Sequence, residues 1–275
     1  MPETSRYTNE RMTIRVGRGS LSFSMPDADG TVSFNPYVVK SGVSMAANLR
    51  EAFKTADFLR QVPERAHVVV DGDVLMVPIN LFEESMVQEL FVHSFPDRRL
   101  DTVFYNVIAE LKVVAISSVN KDLNTVLNDH FSSVTLLVAM SPVWRHMYRR
   151  AFTGINMKLY AYMHENRLDL FSFQQNRFVF SNSFDVKHTR DACYFILYVW
   201  NQLHFQAQKD ELFLVGDLFT NDSPTNVEAR EELLRQLRRF LKKVYVVNPS
   251  ADFNRAQVTQ IKSMPFDLQA LFVKG

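Results

Sequence analysis

The chain holds few groupings of residues that could do chemistry, and each can be weighed by type and spacing. Asp71-Gly72-Asp73 sets two carboxylates one residue apart behind an apolar run at 67–70. Ligand crevices in α/β proteins open at such places, and paired acids suit a cation. The same tripeptide is strong turn chemistry, and the tight turn is the favoured reading. Gly17-Arg18-Gly19 precedes a strand rather than a helix and lacks a third glycine, so it fails as a dinucleotide fingerprint. No Gly-x-x-x-x-Gly-Lys-Ser/Thr loop and no Gly-x-Ser-x-Gly elbow occurs. The 7 histidines are scattered without metal-ligand spacing. His164 falls at the bend of an expected hairpin, where a surface turn histidine is favoured over a working one. Cys193 is the single cysteine, which excludes an intramolecular disulfide and a cysteine metal framework. Its apolar setting at 192–200 marks it as a small buried hydrophobe. Arg145, Arg149 and Arg150 form one basic helix end, and Arg235, Arg238, Arg239, Lys242 and Lys243 form another. Cations there complement the helix dipole, so solvated helix ends are favoured over anion or nucleic-acid sites.

These groups need elements to hold them, and the composition suits ordinary folded cores. Hydrophobic residues make up 47% of the 275 positions, enough for two domains. Thirty-one basic residues against 30 acidic ones leave a formal charge of +1, which supplies no global field for nucleic acid or anionic lipid. The longest apolar run, 192–200, is far short of the roughly 20 residues that span a bilayer. Residues 1–11 are polar with no apolar core, unlike a signal peptide, so a cytoplasmic protein is expected.

Periodicity places the elements. Residues 12–17, 20–25 and 31–39 read as strands; Leu21, Phe23 and Met25 alternate with Ser20, Ser22 and Ser24. Ser44 can cap a helix whose buried stripe is Leu49, Phe53, Ala56 and Leu59, with Pro63 ending it. A short strand follows at 67–70. The middle carries strands at 74–77, 102–110, 113–119 and 134–139, with helices at 82–91, 122–130 and 143–152. Then the opening order returns: strands at 157–163, 168–173 and 177–184, a helix at 189–205, a strand at 211–215, a helix at 227–241 and a strand at 244–247. The chain thus reads as an internal duplication, 12–152 and 153–275, with a small inserted unit at about 74–119. Repeated halves of this kind grip a ligand between them.

Three strands, a helix and a strand, present twice with an insertion in the first half, resemble the actin-like ATPase (ribonuclease H-like) fold. The chain is similar to an uncharacterised bacterial family, a domain of unknown function assigned to that fold, and to its pilus and secretion assembly ATPases. The fold class so implied is α/β, with mixed sheets, flanking helices and a small α+β insertion. In active members each half carries Asp-x-Gly at its first hairpin, where the Asp orients a hydrated metal. Here Arg15 stands at that place before Gly17, and Tyr162-Met163-His164 offers neither residue. Gly216-Asp217 resembles the adenosine-contacting Gly-Gly, although a strand-to-helix turn is the favoured role for Gly216. The resemblance therefore implies an interdomain ligand set of Arg15, Gly17, Asp71, Asp73, His164, Gly216 and Asp217. It implies no catalytic residue, no metal site and no cofactor beyond residual nucleotide binding. A catalytically degenerate interaction or assembly protein with a protein partner is the leading expectation. The alternative is a nucleotide or phosphometabolite binder with weak or absent ATPase activity, its Arg15 on the anion. Nucleic acid ranks last.

Overall fold

A computed structural model describes residues 11–26, 31–60, 63–151, 154–174, 177–216 and 224–273. These form two compact units, one of residues up to Ala109 with Val113–Ser141, the other of Glu110–Lys112 with Pro142 onward.

The first unit opens with the antiparallel strands β1 (Met12–Val16), β2 (Leu21–Pro26) and β3 (Val32–Tyr37). Helix α1 (Met45–Thr55) follows, capped by Ser44, whose side chain accepts from the Ala47 amide. The expected stop at Pro63 comes earlier: the helix ends at Thr55, and Asp57–Leu59 turns as a 3₁₀ segment that still buries Leu59. Strand β4 (Arg65–Val70) runs parallel to β1. Met12, Ile14, Val16, Leu21, Phe23, Val68 and Val70 pack on Leu49 and Ala52 of α1. Alternation leaves Thr13, Arg15, Ser22 and Ser24 on the other face, all buried.

Strand β5 (Leu75–Pro78), helix α2 (Val87–Ser94), strand β6 (Thr102–Ile108) and strand β7 (Val113–Val119) come next. Only the latter part of the helix expected at 82–91 is α-helical; Glu84–Met86 is a 3₁₀ turn. These strands form their own sheet, ordered β5-β7-β6, with Val87 and Phe91 packed on Val114 and Ile116. Helix α3 (Lys121–His130) joins α1 on the first core, and β8 (Ser133–Val138) closes the first sheet in the order β3-β2-β1-β4-β8. The outer edge of β8 is not left bare. Asn106 of β6 donates to the Leu136 carbonyl at 2.9 Å and accepts from the Val138 amide at 2.7 Å, as a neighbouring strand would.

The second unit takes in most of helix α4 (Met140–Ala151). Strands β9 (Lys158–His164), β10 (Arg167–Gln174) and β11 (Arg177–Asp185) are antiparallel neighbours. Helix α5 (Thr189–Gln202), strand β12 (Glu211–Gly216), helix α6 (Pro224–Leu237), strand β13 (Val244–Val246), and the short helices α7 (Pro249–Asp252) and α8 (Phe266–Phe272) complete it. The sheet order β11-β10-β9-β12-β13 repeats the first unit's, with β12 and β13 again parallel to the opening strand. The stripe Ala192, Cys193, Ile196, Val199 and Trp200 of α5, with Leu233 and Leu237 of α6, covers Leu159, Ala161, Leu212 and Leu214. Cys193 is buried, as its setting suggested. The opposite face carries a row of stacked rings, Phe171–Tyr160–Phe213–Tyr245, at centroid distances of 5.3, 5.4 and 5.2 Å. No helix among the described residues is long and apolar enough to cross a membrane.

Candidate functional site

Both sheets bring their first hairpin beside the C-terminal end of a parallel strand, and the described ones among the sequence-predicted residues lie in or next to these two places. In the first unit Arg15 lies on β1 opposite Ser22 and is only 1% exposed. Its guanidinium donates to Ser20 Oγ at 3.2 Å, so it caps its own hairpin loop. Gly17 donates its amide to the Ser20 carbonyl at 2.9 Å, closing that loop. Asp71 donates its amide to the Val16 carbonyl at 2.9 Å, which sets Asp71 beside Gly17 at neighbouring strand ends.

Asp71-Gly72-Asp73 is not the hairpin turn expected of it. β4 and β5 belong to different sheets, so the segment is a crossing between them. Asp73 is committed to the inserted sheet: its carboxylate pairs with Arg98 at 3.2 Å and its carbonyl accepts from Ser117 Oγ at 2.8 Å. It is a structural anchor there. A Cβ on Gly72 would meet only ordinary contacts, the nearest Ser117 Oγ at 3.4 Å.

The second hairpin is built differently. Glu165 and Asn166 both take positive φ, 42° and 59°, giving the two-residue turn whose twist matches paired strands. His164 is therefore the last residue of β9 rather than part of a surface bend, and it is 7% exposed. Its Nε2 lies 2.6 Å from Asp169 Oδ2. Asp169 also accepts from Ser183 Oγ and sits 3.4 Å from Arg167 Nε, with the acid 3% and the arginine 4% exposed. The Tyr162 ring stacks on His164 at 4.4 Å, and its hydroxyl donates to Asp267 Oδ2 of α8 at 3.3 Å.

Gly216 ends β12 against Met163 with φ 74°. A Cβ there would lie 2.3 Å from the Met163 carbonyl and 2.9 Å from the Tyr162 ring. Only glycine fits, and the reason is the close approach of β9. Asp217 lies outside the described residues.

A histidine oriented by a carboxylate is an acid–base pair in type. Here the pair is buried beneath Tyr162, which leaves it a structural network first. Asp169 and Asp267 were missed in the sequence. Asp169 alternates with Leu168 and Leu170 as a solvent-facing residue would, and nothing local marks Asp267. Among the described residues no three His, Cys, Asp or Glu side chains gather as a metal site would need.

A second polar cluster lies on α4. His146 and Arg150 both contact the carboxylate of Asp252, whose side chain is 4% exposed, and Arg145 pairs with Glu110 at 2.7 Å. Burial, then Arg150 and Arg149, push the His146 ring down to about 4, so it is neutral near pH 7. Arg150 shares the Asp252 carboxylate and neutralises it, which limits the pull of that acid on the ring. The basic helix end read from Arg145, Arg149 and Arg150 is thus partly folded inward.

Residues 3–244 match the model of a family described as Protein of unknown function (DUF3822). No curated protein matches the chain. A solved structure from Bacteroides thetaiotaomicron VPI-5482, described as a protein with actin-like ATPase fold and unknown function, is 26% identical with a TM-score of 0.82. The match covers 100% of both chains. A structure described as the PilM-PilN type IV pilus biogenesis complex is 13% identical over 96% of this chain and 97% of that one, with a TM-score of 0.56. The actin-like ATPase fold implied by the duplicated order is therefore the fold of this chain.

Proposed function

The chain belongs to this family of proteins of unknown function, and on its actin-like ATPase fold we propose a catalytically degenerate protein that binds a protein partner rather than hydrolysing ATP. One observation carries the reading: polar groups of both hairpins are engaged by partners within their own unit. At the place where the fold's active members hold a metal-orienting acid, Arg15 is buried and bonded to Ser20. The neighbouring Gly17 amide, which a phosphate would need, is taken by the Ser20 carbonyl. In the second hairpin Tyr162 and His164 are stacked and tied to Asp267 and Asp169. A carboxylate is the natural anchor for hydrated Mg²⁺, and a guanidinium repels it. The fold relative described as the PilM-PilN complex works with a protein partner, which supports an assembly role on this scaffold.

The reading needs no resident nucleotide or metal, and steady-state turnover is its test. Purified full-length protein with ATP and Mg²⁺ is expected to show no hydrolysis above that of an Arg15→Ala variant. Its thermal midpoint is expected to stay flat with ATP, ADP or GTP at millimolar concentration. Mg²⁺-dependent turnover that disappears in Arg15→Ala would overturn the proposal. A nucleotide-dependent midpoint rise without turnover would favour the alternative, a nucleotide binder using Arg15 on the anion.

A further inference from the structure

A cavity of about 390 Å³ opens in the second unit between α4 and the C-terminal helices. Its polar lining is Arg145, His146, Arg149, Arg150, Asp252 and Asn254; Phe253 and Leu271 contribute to an apolar wall. The volume lies in the range of small-molecule sites, and the mixture of wall and charge is typical of them. Helical spacing produces the charge arrangement. Arg145 and Arg149 are four residues apart on one row of α4, and His146 and Arg150 occupy the next row.

The four groups are not equivalent. Asp252 holds Arg150 and His146, and Glu110 holds Arg145 from outside the cavity. Arg149 is exposed and has no carboxylate within ion-pair distance among the described residues. With His146 neutral, three guanidiniums stand against two carboxylates, Asp252 and Glu110, and the unmatched positive charge is that of Arg149. His146 packs against the Phe253 ring at 4.4 Å, giving the charged rim a flat floor. Guanidiniums repel a metal ion and bind phosphate oxygens through paired donors. A phosphate monoester carries about two negative charges near neutral pH, enough to engage Arg149 and to share Arg145 with Glu110.

We propose that this cavity binds a phosphate monoester of a small molecule, its phosphate on Arg149 and Arg145 and its organic part against Phe253 and Leu271. Asp252 is a positioning residue that holds Arg150 and His146 at the rim. The site goes beyond the partner-binding reading and does not depend on it.

The test is a thermal-shift series on the full chain at constant ionic strength, using phenyl phosphate, inorganic phosphate, adenosine monophosphate and benzoate. Phenyl phosphate at ten times its Kd is expected to raise the midpoint by about 3 °C. Inorganic phosphate is expected to bind more weakly, since it cannot use the apolar wall. Adenosine monophosphate distinguishes a nucleotide source from a smaller ester. Arg149→Ala is expected to weaken phenyl phosphate by about tenfold and leave the unliganded midpoint in place, because the side chain is exposed. Arg235→Ala, on α6, is expected to change neither. A flat response up to about 10 mM phenyl phosphate overturns the proposal, since it would leave no useful affinity. So does a shift that survives both Arg149→Ala and Arg145→Ala. Benzoate matching phenyl phosphate would overturn the choice of phosphate, and inorganic phosphate matching it would overturn the choice of an ester.

Discussion

The two hairpins occupy the same place in two sheets of the same order, and they are chemically opposite. Their core-facing sides agree: Ile14 and Val16 on β1 correspond in role to Leu159, Ala161 and Met163 on β9, each set under its own helix pair. The other sides diverge. Around Arg15 the first hairpin sets Thr13, Ser22 and Ser24, small neutral hydroxyls. The second sets Tyr160, Tyr162 and Phe171 around the linked side chains of His164, Arg167 and Asp169. Burial of one face is what folding demands of each sheet, so that face stays apolar in both. The other face is free to change: in one unit it holds a buried guanidinium among hydroxyls, in the other a network of His164, Arg167, Asp169 and Ser183 beside aromatic rings.

Three tests would challenge or refine that comparison. The largest effect is expected at Asp169, on which His164, Arg167 and Ser183 converge. Asp169→Ala should destabilise by about 3–5 kcal/mol, because it strands buried charge. Urea denaturation of the second unit's tryptophan signal would measure it, and a loss below about 1 kcal/mol would mean the network is solvated. Next come Gly216, the last residue of β12, and Gly72, just beyond the corresponding strand β4. Gly216→Ala should cost about 3 kcal/mol from backbone strain and the clash with Met163, whereas Gly72→Ala should stay within about 0.5 kcal/mol. Equal effects at both positions would remove this difference between the units.

The last is a pH effect from His146. Its ring is held at about 4 in the folded chain, against 6.5 for an unconstrained histidine. Between those values the unfolded chain binds the proton and the folded one does not. Stability is therefore undiminished above about 6.5 and falls as the pH drops toward about 4. The urea midpoint should decline over that window in the wild type and decline less in His146→Gln. An unchanged slope would assign the decline to other groups.

Much of the architecture is legible in the sequence. Ser44 ahead of an amphipathic run marked α1, and the alternation of Leu21 and Phe23 with serines marked β2, because capping and period-two burial are local properties. The Asp-Gly reading failed for a physical reason. A tight turn needs only local chemistry to be suspected, but β4 pairs in parallel with β1 and β8, and β5 joins another sheet. Of the candidate site, Gly216 was legible as a special backbone position, while the cause, the Met163 carbonyl and Tyr162 ring, was not. His164 looked like a surface turn because its burial depends on Asp169 and on the stacked Tyr162, set across the hairpin register.

Element order and the core face of each strand and helix follow from residue types at fixed spacing. Those properties depend on neighbours a few positions away, so one chain suffices to read them. The pairings that give the second unit its chemistry do not. His146 meets Asp252 across 106 residues and Tyr162 meets Asp267 across 105. Such contacts exist only because parallel strands and the returning C-terminal helices bring distant segments to one place. A buried charge is tolerated only where that closure supplies its partner.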